Sequence, residues 1–310
     1  FGPAVRLTLP PLSENDSHDL VLSILRKLPQ IPPTLSALIV RLAAGNPFYV
    51  EEMVRVLIED GVIVPDETAW QLRPRELTRL RVPATLTGIL QARLDRLPEL
   101  ERVTLQQAAV VGDEFWAGSV HQINEAARHP YTPEQVDAAL QALERRDMIY
   151  RASTSTFAGS QTYLFKHTVL REVAYESVLL RDRPGYHLQA ARWLETRSGE
   201  WAVEYSALIA QHHELAGRPA EAARLYEQAA ARAGEQFKLG SAIDYYRKVL
   251  ELVRPLPQYL DTRLRVEERQ GHMLVQRGRL VEALAAYRSM HDAAALDGNA
   301  RGGCINSPWL

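Results

Sequence analysis

Gly45-Asn46-Pro47-Phe48-Tyr49-Val50-Glu51-Glu52 is the stretch whose residue types and spacing could do chemistry. Asn46 is a good N-cap, and Pro47, with its fixed φ and missing N–H, suits the first helical position, so a helix is expected to begin abruptly here. A helix N-terminus carries unsatisfied N–H groups and the positive end of the helix dipole, a place where a ligand can be met. The same residues also suffice for nothing more than a well-capped helix. Val50, Met53, Val54, Leu57 and Ile58 fall at i, i+3, i+4, i+7 and i+8, which places one face in a core and leaves Glu51, Glu52, Arg55 and Glu59 to look outward.

Other polar residues make weaker cases. His212-His213-Glu214 lacks the i, i+4 histidine pair of a zinc helix and reads as surface residues of a linker ahead of helical repeats. Asp147, Asp182 and Glu195 form no constellation with a nucleophile. The single Cys304 excludes an intramolecular disulfide and a multi-cysteine metal site, and fits a reducing compartment. Lys plus Arg (36) nearly balances Asp plus Glu (38), so the chain has no polyanion-binding signature. No apolar run approaches the ~18 residues of a membrane span, and no basic-then-apolar leader opens the chain, so a cytoplasmic protein is expected.

The elements that must position these residues are mostly helical. Val5-Arg6-Leu7-Thr8-Leu9 alternates and reads as a strand without a local partner, the last strand of a sheet lying upstream. Together with a start at Phe1 rather than Met, it suggests a fragment of something longer. Asp16 and Ser17 can cap a helix burying Leu20, Val21, Ile24, Leu25 and Leu28; Leu35, Leu38, Ile39 and Leu42 mark a second, and Asn46 opens the third. Gly61 ends that helix before a strand, turn and strand at Val62-Ile63-Val64, Pro65-Asp66-Glu67 and Trp70-Gln71-Leu72. After a polar linker to Arg81, helices are expected from Pro83, from Pro98, over Phe115 to Ala127, and from Pro133, the last with the capping box Thr132-Pro133-Glu134-Gln135. Strands at Met148-Ile149-Tyr150-Arg151 and Tyr163-Leu164-Phe165, joined by a Ser/Thr/Gly-rich loop, complete the order expected of a winged helix, and a helix follows from about Thr168.

From about Arg183 the chain is helical and repeats itself. Ala222 with Tyr226, Ala242 with Tyr246 and Ala283 with Tyr287 share Ala-x-x-x-Tyr, with Gly217, Gly240 and Gly278 a few residues before each. A small residue lets one helix pass close to its neighbour while the ring fills the groove, the packing of tetratricopeptide-type pairs. The spacings, about 20 and about 41, depart from the regular 34, so the repeats are degenerate. The expected fold is mainly α: residues 1–11 the last strand of a core missing upstream, 12–81 a helical domain with a β-hairpin, 82–182 a winged-helix domain, 183–298 tetratricopeptide-like repeats and 299–310 a disordered tail.

Gly45-Asn46-Pro47-Phe48-Tyr49-Val50-Glu51-Glu52, Trp70, Val82-Pro83-Ala84-Thr85-Leu86 with Arg93-Leu94-Asp95-Arg96-Leu97, Ala108-Ala109-Val110-Val111-Gly112, and Phe165-Lys166-His167 with Arg171-Glu172-Val173-Ala174-Tyr175 together resemble the signal-transduction ATPases with numerous domains, the STAND class. The likeness is to bacterial predicted ATPases associated with a nucleotide cyclase, a protein kinase or a DNA-binding output domain, and it covers roughly residues 5 to 290. It implies a helical domain, a winged helix and a superhelical sensor behind an ATPase core that binds ATP or ADP with Mg²⁺. The chain has no Gly-rich loop ending in Lys-Ser/Thr and no apolar strand ending in paired acids, so alone it is expected not to hydrolyse ATP.

By the same resemblance Pro47 packs against adenine with Phe48 and Tyr49 nearby, and His167 presents its imidazole toward the β-phosphate of bound ADP. Without the resemblance His167 reads as a helix-start residue after an edge strand, and Lys166 and Arg171 as solvated charges. The implied role is regulatory: the repeats bind a protein or small-molecule inducer and shift a closed ADP state toward an open ATP state. Two other classes remain open, a repeat scaffold without a nucleotide role and a winged-helix DNA-binding module. The second is disfavoured, because the helix after Pro133 sets Glu134, Asp137, Glu144 and Asp147 against only Arg145 and Arg146.

Overall fold

A computed structural model describes residues 8–73, 83, 85–199 and 202–301. The chain divides into two compact units between Arg102 and Val103, with Glu172–Ala174 counted in the first. Among the described residues no helix is long and apolar enough to cross a membrane. The fold is mainly helical with a few short antiparallel strands.

The first unit opens with α1 (Glu14–Ile24), α2 (Pro33–Ala43) and α3 (Pro47–Glu59). α1 begins earlier than its apolar pattern suggests, because Ser13 rather than Asp16 or Ser17 is the cap: its Oγ accepts from Asp16 N at 3.2 Å, and Ser17 is buried. Val21, Leu25, Leu35, Ile39, Met53 and Leu57 form the centre of the core, as the 3.6-residue period requires. β1 (Ile63–Val64) and β2 (Gln71–Leu72) pair antiparallel as the hairpin after Gly61, which sits at φ +68° where a helix ends in the left-handed region. α4 (Leu86–Asp95) is capped by Thr85, whose Oγ1 accepts from Gly88 N at 3.1 Å, so Pro83 precedes the helix instead of starting it. The expected linker to Arg81 lies outside the described residues from residue 74 on. So does most of the expected first strand, and Thr8 and Leu9 are not in a strand.

The second unit takes up α5 (Glu99–Val111) after its first residues, then β3 (Glu114–Trp116), α6 (Ala117–Glu125), α7 (Pro133–Arg145), β4 (Ile149–Arg151) and β5 (Thr162–Phe165). The sheet order is β3-β5-β4, all antiparallel, with Phe115 opposite Tyr163 and Ile149 opposite Phe165. The expectation of helix from Phe115 is corrected here: Glu114–Trp116 is an edge strand, fixed by pairing with β5 and by the stacking of Phe115 on Tyr163 at 5.7 Å. The capping box of α7 forms as expected, with Thr132 N donating to Gln135 Oε1 at 2.8 Å and Gln135 N to Thr132 Oγ1 at 3.3 Å.

α8 (Thr168–Glu176) leads into six further helices: α9 (Arg183–Ser198), α10 (Ala202–Leu215), α11 (Pro219–Glu235), α12 (Leu239–Val253), α13 (Leu260–Gln276) and α14 (Leu280–Arg301). Each of α9 to α13 packs on the next helix in sequence, the nearest-neighbour arrangement of a helical-repeat region. α14 runs through Asn299 to Arg301, into the stretch expected to be a tail; residues 302–310 lie outside the described residues. Ala222, Ala242 and Ala283 are all buried, with Tyr226 and Tyr246 buried beside the first two. A Cβ on Gly271 would stand 2.6 Å from the Tyr287 ring, so α13 and α14 approach closely only because that position is bare.

The repeat turns share one geometry with different residues. Arg218 N donates to His213 O, Lys238 N to Ala233 O and Arg279 N to Leu274 O, each at 2.8 or 2.9 Å, the six-to-one bond that closes a Schellman cap. Its left-handed residue is Gly217 (φ +73°), Phe237 (φ +57°) and Gly278 (φ +76°) respectively. Gly240 therefore serves another purpose than Gly217 and Gly278: it lies in the first turn of α12, under the Arg277 guanidinium.

Candidate functional site

In the first unit the candidate residues are Pro47 and Phe48 at the start of α3. Pro47 is exposed and Phe48 half-buried. The Asn46 side chain accepts from Phe48 N at 3.0 Å and Tyr49 N at 3.4 Å, so two N–H groups that the sequence leaves open for a ligand are already satisfied. Tyr49 is buried and donates to the Pro83 carbonyl at 2.9 Å, and burial raises its phenol above the ordinary value. Gly45, at φ +81°, lies so close to Leu12 that an added Cβ would meet the Leu12 carbonyl oxygen at 2.5 Å.

Glu52 does not look outward. It is buried and paired with Arg93 of α4, which is also buried, while Glu59 Oε1 lies 3.4 Å from Arg93 Nε and Arg55 Nε 3.5 Å from Glu52 Oε1. Two of the stretches that carry the family resemblance are thus joined by a charged pair, and a charge pair of this depth leaves no mark in a hydrophobic period.

In the second unit His167 is half-buried at the entry to α8, its backbone carbonyl accepting from Leu170 N and Arg171 N. Its neighbours are not solvated charges: Lys166 pairs with Asp147, and Arg171 Nε donates to Asp113 Oδ1 at 3.1 Å. Pro47 and Phe48 belong to one compact unit and His167 to the other. His212 and His213, expected on the surface, are buried on α10. His213 Nε2 lies 2.9 Å from Glu195 Oε1, and His212 Nδ1 is 2.9 Å from His187 Nδ1. Among the described residues no group of three or more His, Cys, Asp or Glu could hold a metal ion.

The loop between β4 and β5 is pinned rather than free. Phe157 is buried among Trp116, Trp193 and Tyr205, with ring centroids 5.0 to 5.2 Å away, and Trp116 stacks on Trp193 at 5.5 Å.

The helical repeats present a groove of about 570 Å³ between α10, α11 and α12. Tyr226 donates to Glu214 Oε2 at 2.8 Å, Lys248 to Glu214 Oε1 at 3.0 Å, and Tyr245 stacks on Tyr226 at 6.2 Å. Burial, together with the Glu214 carboxylate, pushes the Tyr226 phenol well above its ordinary value; Lys248 is held above its own chiefly by the hydrogen bond to Glu214. The wall is therefore one of fixed, mutually paired polar groups around an aromatic step. The sequence marks Tyr226 only as a repeat ring and Glu214 only beside the two histidines, and it singles out neither Tyr245 nor Lys248. The signal is the doublet Tyr245-Tyr246: Tyr246 is the buried repeat ring, so its predecessor, about 100° around the helix, must face outward. A second groove of about 370 Å³ shares Tyr245 as a wall and adds Glu204, Arg232 and Lys238.

Geometry and fold define a mainly helical chain whose helices α9 to α14 form a helical-repeat region. No family model matches the chain. An uncharacterized protein of Rhizobium meliloti (strain 1021) is 26% identical over 250 residues, 79% of this chain and 22% of that protein, so the chain spans about a fifth of that relative's length. Among solved structures, the signal transduction ATPase with numerous domains carrying a tetratricopeptide repeat sensor, from Pyrococcus horikoshii, aligns with 90% of this chain and 35% of its own, at a TM-score of 0.47 and 14% identity.

Proposed function

We propose that this chain is the regulatory and sensor part of a STAND-type ATP-binding signalling protein of the cytoplasm. Its helical and strand-bearing parts act on nucleotide held by an ATPase core elsewhere in the protein, and its helical pairs couple a protein or small-molecule inducer to an output domain such as a cyclase or kinase. The observation that carries this reading is the element order. A bundle containing Asn46-Pro47 is followed by α5-β3-α6-α7-β4-β5, the connectivity of a winged helix, which ends on Phe165-Lys166-His167 and runs on into helical pairs.

The residues present fit the base of a nucleotide better than its phosphates. Phe48 offers a half-buried ring beside exposed Pro47, whereas Asn46 already occupies the N–H groups of Phe48 and Tyr49. When bound, the nucleotide supplies the phosphate chemistry. The share of this chain is to pack against the base and, through His167, to donate a hydrogen bond to a phosphate oxygen. Duplex DNA is disfavoured as the ligand: α7 exposes Glu134 and Asp137, Arg151 is spent on Glu144 at 3.4 Å, and the loop that would be the wing is held by Phe157. In the full-length protein, His167→Ala is expected to release ADP faster than wild type; an unchanged release rate would remove the nucleotide role and leave the repeats as a binding scaffold.

A further inference from the structure

The Ala-x-x-x-Tyr repeats set α11, α12 and α14 in one register, and α14 differs in what covers it. The residue after the repeat alanine is Ala223 in α11, Ile243 in α12 and Leu284 in α14. The first two are 3% and 1% exposed, whereas Leu284 is 50% exposed. Eight residues after the alanine stand Ala230, Leu250 and His291; again the first two are buried and the third is exposed. In α12 the cover comes from the helices that follow, since Ile243 shares one apolar cluster with Leu274 of α13 and Ala283 of α14. The same face of α14 is bare.

That face is apolar at one end and charged in the middle. Leu280, Val281, Leu284 and Ala285 are exposed in its first two turns, Arg288 and Asp292 follow one turn apart, and Ala295 is exposed beyond them. At 100° per residue all seven fall within an arc of about 140°. A repeat helix that faced water would carry a polar outer face instead. A head-to-tail stack of copies is closed off, because α9 at the other end of the repeats is already covered: it packs on α6, and Trp193 stacks on Trp116 at 5.5 Å. A contact of α14 with α14 uses the same surface on both copies and closes at two chains. The net charge of −2 opposes it little.

We propose that α14 is a dimerisation helix, packed antiparallel on α14 of a second copy over the face of Leu280, Val281 and Leu284. Antiparallel overlap of the whole helix, Leu280–Arg301, puts the two-fold axis between Arg288 and Asp292. Each Arg288 then faces Asp292 of the second copy, so one pair of residues makes its charge contact twice. Leu284 and Ala285 fall over the segment of the second copy that carries the small residue Ala295. Parallel overlap would instead set Arg288 on Arg288 and Asp292 on Asp292, which like charges disfavour. The second copy supplies to Leu284 the apolar cover that α13 and α14 supply to Ile243. The inference stands without any nucleotide role for the chain.

Sedimentation equilibrium of the 310-residue chain over about 1–100 μM is expected to show a monomer–dimer equilibrium that reaches twice the 34.9 kDa chain mass. Leu284→Glu sets a charge inside the apolar contact and should weaken the dimer at least about tenfold. Leu180→Glu, at a leucine 76% exposed on the turn before α9, should leave it unchanged. Arg288→Glu should also weaken it about tenfold or more, and adding Asp292→Arg should restore it, because the pair is then exchanged in both copies. A chain that is monomeric throughout would overturn the proposal and leave the face to a further repeat helix or another protein. An unchanged dimer in Leu284→Glu, an equal loss in Leu180→Glu, or a charge exchange that fails to restore association would overturn it as well. Should Leu284→Glu fail to fold by far-ultraviolet circular dichroism, the Arg288 and Asp292 variants decide, since both side chains are exposed.

Discussion

The two units each bury a polar pair, and the pairs work on opposite principles. In the first, Glu52 and Arg93 keep their charges inside the α3–α4 contact, and each is compensated by the other and by Arg55 and Glu59. In the second, His187 and His212 are buried with Nδ1 atoms 2.9 Å apart, and burial favours the neutral form of both rings. A charged pair makes each partner indispensable to the other, whereas a neutral pair makes the contact conditional on pH.

The largest effect expected from this contrast is in the first unit. Arg93→Met leaves the Glu52 charge buried and is expected to cost about 3–5 kcal/mol in urea unfolding. Glu52→Leu combined with Arg93→Met removes both charges and should recover most of that loss, since two apolar side chains of similar volume replace a pair that spent much of its attraction on desolvation. A double variant as unstable as the single one would mean the pair earns its place by geometry and would break the comparison.

The corresponding change in the second unit is smaller. His212→Leu takes the partner from His187 Nδ1 and is expected to cost about 1–3 kcal/mol at neutral pH, the cost of one buried polar group left unsatisfied. Its diagnostic is the pH profile: the variant should lose part of the stability gain expected of wild type between about pH 5 and about pH 7. Parallel profiles for wild type and His212→Leu would show that the histidine pair titrates as exposed rings do.

These pairs also mark the limit of what the sequence reveals. The start of α3 at Asn46-Pro47, the capping box at Thr132 and Gln135, and the Ala-x-x-x-Tyr packing are legible because cap and stripe lie within a few residues of each other. Glu52 reads as solvent-facing because Arg93, which buries it, lies 41 residues on, and His212 reads as surface because His187 is 25 residues back. The strand β3 is hidden for the same reason: three residues have no period, and their partner strand comes much later in the chain. Pro47 and Phe48 were legible as a helix start, but the use of Asn46 to close off the N–H groups behind them is a matter of side-chain geometry that the residue types alone permit without requiring.

The smallest prediction returns to the helix ends, where the two units again solve one problem differently. α3 leaves its last turn through Gly61 at φ +68°, and α11 leaves through Phe237 at φ +57°, a conformation that costs a residue with a Cβ about 1–2 kcal/mol. The Phe237 ring is 86% exposed, so little packing offsets that strain. Phe237→Gly is therefore expected to stabilise the chain by about 0.5–1 kcal/mol, the relief of strain exceeding the added freedom of the unfolded chain. Gly61→Ala has open space for its Cβ and should lose about 1 kcal/mol from the backbone alone. Opposite signs of similar size, read as shifts in the urea midpoint, would confirm that both ends are governed by the same backbone term. Destabilisation by Phe237→Gly would instead mean that the exposed ring is held by a contact, and an exposed aromatic on a repeat turn would then be a surface that partners use.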